Sequence, residues 1–329
     1  MSSLNIHKFV DDGNYDRFKD IILLQNNYSQ LVQLLCLKSK TYGNVLHTCC
    51  ETDAFGCLTI IFQALDRWGE RDTFKDLLQD EDFVGQLPVH VAAHKGSHKI
   101  LNFILKRFTV DKRYEMQLRI PDHDGNTVLH NVTGSDNAMR SIDIIRQSTL
   151  RENFQQLITV PNDENCTPLH SAVIAGNNDA VNLMLPLISG QQLKTMIALR
   201  DKSNGNTVMH SCASIRLGLE SARAIIKFIP DHQWVVLNLL NIQNECDSTP
   251  LHLACGHGYL DTFSFMISLL GAQNRTLLTK QGFDGDNILH CNLFGNNSND
   301  EGVRKIYEAI EPKEFHSLLF MKNDHGQCP

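Results

Sequence analysis

Seven times along this chain a short motif ending in His recurs at near-constant spacing. GNVLH ends at His47, GQLPVH at His90, GNTVLH at His130, NCTPLH at His170, GNTVMH at His210, DSTPLH at His252 and GDNILH at His290. The steps between these histidines are 43, 40, 40, 40, 42 and 38 residues. Composition alone does not generate such regularity. A fixed period in the range of about 20–50 residues marks a chain built from stacked structural repeats, each contacting mainly its neighbours. That excludes most single-core folds at once.

Each copy follows one physical grammar. A polar segment such as Asp122-His-Asp-Gly-Asn126 comes first, and its Asp, Asn and Gly are turn formers. Thr or Ser followed by Pro or Val and then Leu-His opens a helix, with Thr at the capping position and Pro in the first turn. Small residues follow the histidine, as in Val91-Ala92-Ala93, Ser171-Ala172-Val173 and Leu253-Ala254-Cys255, and allow close helix packing. Gly96, Gly176 and Gly258 break that helix, and a second helix follows with apolar spacing, as in Ile100, Leu101, Ile104 and Leu105.

The TPLH at 167–170 and 249–252, followed by alanine and glycine, resembles the ankyrin repeat, whose pattern is a β-turn plus two helices with a T-P-L-H-x-A signature. The resemblance recurs over essentially the whole chain and is best at Thr249–Gly258 and Gln86–Gly96. It implies an all-α solenoid of helix-turn-helix units with hairpin tips along one edge. The spacing departs from the family, whose repeats run about 33 residues. The surplus of about seven residues has its own apolar pattern: Phe74, Leu77, Leu78; Phe154, Leu157, Ile158; Leu193, Met196, Ile197; Trp234, Leu237; and Phe315, Leu318, Leu319. We read it as a short extra helical turn in each repeat. Residues 1–40 read as an N-terminal capping repeat without the TPLH turn, and residues 41–329 as the array. Asn323-Asp-His-Gly-Gln-Cys-Pro329 follows the order of the other turns as far as Pro329, which carries the expectation of a further repeat beyond it.

Composition narrows the function classes. A formal net charge of −7 lacks the basic excess of a nucleic-acid-binding domain. No run approaches the roughly 18–20 apolar residues needed to cross a bilayer, so membrane insertion is not expected. MSSLNIHKFVDDGNYD has no basic region before an apolar core, and so does not read as a secretory signal. Ten cysteines without a CxxC pair read as small buried hydrophobes in a reducing cytoplasm rather than as a disulfide scaffold. The sequence holds no GxxxxGK[ST], GxSxG or HExxH. The fifteen histidines raise a metal or thiol-catalysis reading, but seven of them are the repeat histidines, with an expected role in holding neighbouring hairpins in register. Cys255-Gly-His257 is the one close Cys–His pair at a possible surface, and without an oriented base and an oxyanion site it does not make a nucleophile. The expectation is a chain with no catalytic residue, no metal and no cofactor.

What remains is surface. The resemblance implies contact positions beside the turn glycine and after the small residues of the first helix. In this chain the candidates are Phe83, Val84, His94, Lys95, Asp124, Asp163, Glu164, Ile174, Ile215, Glu245, His257, Phe283, Asp284 and Asp286. Two features mark them: acidic tips with Lys95 nearly alone as a cation, and apolar side chains (Phe83, Val84, Ile174, Ile215, Phe283, with Phe294) at positions that should face solvent. Together they suggest a protein partner, with a basic patch, on the concave face of a monomer. An alternative is the substrate-recruiting arm of an enzyme whose catalytic domain lies beyond residue 329. The relaxed TVLH, TVMH and NILH variants and abundant Asn are similar to ankyrin proteins that intracellular bacteria inject into host cells, which would place the chain in a host cytosol as an effector.

Overall fold

The computed structural model describes residues 6–39, 42–108, 118–135, 137–229, 231–294 and 300–329. The chain divides into two compact units, Met1–Asp163 and Glu164–Pro329. Both are helical. Among the described residues there is no strand, only an isolated antiparallel bridge between Ser39 and Gly43.

The first unit begins with helices Ile6–Asp11, Tyr15–Leu23 and Tyr28–Leu35. Three repeats follow. Their first helices, which carry the repeat histidines, are Val45–Glu51, Pro88–Lys95 and Val128–Thr133, and they pack one on the next. Second helices Phe55–Arg67, His98–Phe108 and Ala138–Gln147 form a layer behind them. In the second unit the first helices are Pro168–Ile174, Val208–Ser214, Pro250–Gly256 and Ile288–Phe294. The second helices are Asn178–Met184, Gly218–Lys227, Leu260–Leu270 and Asp300–Ala309. The small residues after each histidine make this layering possible: Ala92, Ala93, Ala172, Ala213 and Ala254 are fully buried between helix backbones.

In four repeats the extra segment is more than the single turn expected; that of the second repeat falls at 109–117, outside the described residues. The four are nine-residue helices at Arg71–Gln79, Arg151–Thr159 and Pro312–Phe320, and an eight-residue helix at Gly190–Ile197. Ser189 and Gln192 exchange backbone and side-chain hydrogen bonds at the start of the last of these, a capping box that fixes where the helix begins. Phe74, Leu77 and Leu78 are buried, with Phe74 edge-on to Phe62 at 5.2 Å. Burying one such side chain contributes about 1.5–3 kcal/mol, which outweighs the ordering of a short polar-faced helix.

One such segment departs from the expected face. Helix His232–Val235 runs directly into a π-helical turn, Val236–Leu240. The wider π turn shifts the phase, so Val235, Val236, Leu239 and Leu240 point inward while Leu237 is 49% exposed and Trp234 only half-buried. The last of these segments departs in a similar way: Leu318 is fully buried, but Leu319 is exposed and Phe315 half-buried.

Candidate functional site

The tips are built by one local device. Asp82 Oδ1 accepts the backbone N–H groups of Val84 and Gln86, at 2.9 and 2.8 Å. Asp122, Asp201, Asn244 and Asn323 do the same in their repeats. A short side-chain acceptor thus replaces the sheet partner that these amides lack. The turn closes through a residue in the left-handed region, Gly125 at φ 76° in the third repeat, with Asn165 and Asp247 in the two TPLH copies. A Cβ on Gly125 would lie 2.5 Å from the amide nitrogen of Asp163. The tips must come that close because adjacent ones are tied through the backbone. Asp163 N–H donates to Asp124 O at 3.1 Å, Glu245 N–H to Asn204 O at 2.8 Å and Asp324 N–H to Asp284 O at 2.8 Å.

Behind the tips stand the repeat histidines, all buried. In six repeats the backbone N–H three residues earlier, from Leu87, Thr127, Thr167, Thr207, Thr249 or Asn287, donates to the imidazole Nδ1. An N–H aimed at Nδ1 requires that nitrogen to be bare, so the ring proton sits on Nε2. Nε2 then donates one repeat onward: His90 to Ile120 O at 3.0 Å, His210 to Ser248 O at 3.0 Å, His252 to Lys280 O at 3.1 Å and His290 to Gln327 O at 3.0 Å. Burial lowers the pKa of His90, His210 and His252 to about 4, so the rings stay neutral and structural.

In the first unit Phe83 (61% exposed) and Val84 (53%) crown one tip, while Asp124 and Asp163 are exposed on the next two. His94 and Lys95 lie exposed at the far end of the first helix. Lys95, expected as a nearly lone cation, is paired: its Nζ lies 2.7 Å from Glu51 Oε1 on the preceding repeat. His94 Nδ1 faces Asn131 O at 3.0 Å. Below this tip, between the helices Val45–Glu51 and Pro88–Lys95, runs a groove of about 270 Å³. Tyr42, Glu51, Asp82 and Gln86 line it together with His94 and Lys95. Gln86 occupies one of the contact positions that the family resemblance implies, beside the turn glycine, whereas sequence reasoning missed Tyr42, Glu51 and Asp82. Their signal lies in one relation, a Glu four residues after one repeat histidine and a Lys five residues after the next.

In the second unit Glu164, Glu245, Phe283 (56% exposed) and Asp284 are exposed on their tips, and Ile174 is 52% exposed at a first-helix end. Glu164 Oε2 accepts from Ser203 Oγ at 2.5 Å. Asp284 Oδ2 lies 3.6 Å from His325 Nε2. Three candidates sit differently from the expectation. Asp286 is half-buried, its Oδ1 accepting from Asn323 Nδ2 at 2.9 Å, which ties it into the framework of the turns. Ile215 is half-buried because the helix end there is extended, at φ −122° and ψ 147°, and folds the side chain back. His257 is half-buried and stacked on Tyr259 at 5.8 Å. The side chain of Phe294 lies outside the described residues.

The Cys255–His257 pair offers no nucleophile. Cys255 is 1% exposed, its thiol donates to Ile288 O at 3.3 Å, and burial pushes its pKa far up. Among the described residues no group of three or more His, Cys, Asp or Glu could hold a metal ion, and no helix is long and apolar enough to cross a membrane.

Comparison with known proteins agrees with this architecture. The Ankyrin repeat family model matches residues 246–278, which run from the sixth tip through helices Pro250–Gly256 and Leu260–Leu270 into the following 3-10 segment. No curated protein matches the sequence. Among solved structures, the chain is similar to the ankyrin repeat domain of Bcl-3, described as a unique member of the IκB protein family. The TM-score is 0.52 at 18% identity, covering 77% of this chain and 94% of that one. Tips bonded backbone to backbone, histidines linking successive repeats and layered helix pairs therefore give the chain the ankyrin-repeat fold, with a match to the family's own pattern at residues 246–278 and a third helical segment added to several repeats.

Proposed function

We propose that this chain is a non-enzymatic protein-binding scaffold that takes its partner on the tips and first-helix faces, working in a cytoplasm. The observation that carries this reading is the exposure of Phe83, Val84, Ile174 and Phe283 at tips and first-helix ends. Apolar side chains held open on rigid turns are contact anchors, and nothing in the fold of the tips needs them there. The carboxylates around them, Asp124, Asp163, Glu164, Glu245 and Asp284, favour a partner with a basic patch. The ten thiols, all free and six of them buried, support a reducing compartment. Residues 1–40 act in this reading as the capping repeat, their helix Ile6–Asp11 packing on Val45–Glu51.

The test is site-specific photo-crosslinking in lysate. A photoreactive phenylalanine analogue at Phe83 or Phe283 should capture a discrete partner, while the same group at Asp76, exposed on the third helix of its repeat, should not. Capture of the same species with equal yield from Asp76 would contradict the reading.

A further inference from the structure

The groove in the first unit has a composition that the tips alone do not explain. Its walls present two carboxylates, Glu51 and Asp82, against the single ammonium of Lys95, so it carries a net negative charge. Asp82 commits Oδ1 to the amides of Val84 and Gln86, and its second oxygen faces no donor among the described residues. Tyr42 adds an aromatic wall and Gln86 an amide. His47 closes one side as a neutral ring: burial lowers its pKa, and its Nε2 is spent on Gln86 O at 2.8 Å. An aromatic surface flanked by two carboxylates suits a planar cation with several donors better than a compact ammonium. The one cation present, Lys95, reaches only Glu51, at 2.7 Å, on a side chain that is itself 40% exposed.

We propose that this groove receives an arginine side chain of the partner, its guanidinium replacing the Lys95 ammonium against Glu51. Lys95 then acts as an internal competitor: it holds Glu51 in place in the free protein and swings into solvent when the partner binds. With Lys95 exposed to solvent and Glu51 only half-buried, the pair is worth about 1 kcal/mol at most, so a bidentate guanidinium displaces it readily. This inference rests on the protein-binding reading above, and gives that partner a specific residue.

The experiment is an NMR titration of the isotope-labelled full chain with N-acetyl-arginine methylamide, the capped lysine and the capped citrulline, which keeps the shape of arginine without its charge. Arginine should give saturable shifts centred on Tyr42, Glu51, Gln86 and Lys95, lysine should bind more weakly, and citrulline should not saturate. Glu51→Gln should weaken arginine binding about threefold to fivefold at unchanged melting temperature, and Lys95→Met should strengthen it by a similar factor. Lys99→Met, which removes an exposed lysine that does not line the groove, should leave it unchanged. Saturation by citrulline, lysine binding as tightly as arginine, or equal gains from Lys95→Met and Lys99→Met would each overturn the assignment. Absence of arginine binding in a chain that still crosslinks its partner from Phe83 would remove the groove and leave the scaffold reading standing; loss of crosslinking as well would remove both.

Discussion

The Nε2 atom of His210 donates to the carbonyl oxygen of Ser248 at 3.0 Å, from one repeat to the next, while its Nδ1 accepts the N–H of Thr207 at 3.1 Å. One ring therefore caps its own helix and anchors the following turn. His210→Leu leaves the Thr207 N–H buried without a partner and strips Ser248 O of one of its two donors, Asn244 N–H at 2.9 Å remaining, and should cost about 2–4 kcal/mol in urea unfolding. The exposed His94→Ala should cost no more than about 0.5 kcal/mol. Equal losses from the two would remove the special role of the repeat histidine.

Acid should unfold the chain through the same rings. His90, His210 and His252 have folded pKa values near 4 against 6.5 for a free histidine, so the unfolded chain binds protons first. Their contribution is complete above pH 6.5 and is lost progressively as pH falls toward 4, up to about 3 kcal/mol for each ring. Thermal unfolding followed from pH 7.5 to 4.5 should show the midpoint falling steadily below 6.5; a flat profile would contradict the tautomer assignment.

Turn geometry can be tested separately. Gly125→Ala forces a side chain into the left-handed region at φ 76° and within 2.5 Å of the Asp163 amide, breaking the tip-to-tip bond. Gly13→Ala meets the same backbone strain at φ 64° with nothing within 4 Å. The first should cost about 2–4 kcal/mol and the second about 1 kcal/mol in denaturant titrations. Matching costs would show that the close approach of the tips is unimportant.

The period, the turn chemistry and the histidine positions were legible because each is local: a motif of some ten residues states its own turn, cap and helix start. The extra helix was legible as apolar spacing, but its face at Trp234 was not. The π turn at Val236–Leu240 breaks the 3.6-residue phase, and Trp234 packs instead beneath Lys194, whose Nζ lies 5.0 Å from the ring centre. Exposure at the tips followed the family pattern for Phe83 and Phe283, whereas Ile215 turned inward through a helix end that no residue type announces. The groove was invisible for another reason. Glu51 and Lys95 stand 44 positions apart, one repeat plus one residue, and only the stacking of two first helices brings them together.

The association rate of the captured partner, measured against salt for wild type and for Asp163→Lys, Glu164→Lys and Glu245→Lys, tests the binding account most directly. These carboxylates are exposed on the tips, and their reversal should leave the melting temperature nearly unchanged. The account predicts that wild-type association slows as salt rises from about 0.05 to 0.5 M, as the Debye length shortens from beyond 10 Å to a few Å, and that each reversal slows it further at low salt. A rate indifferent both to salt and to all three reversals would contradict it.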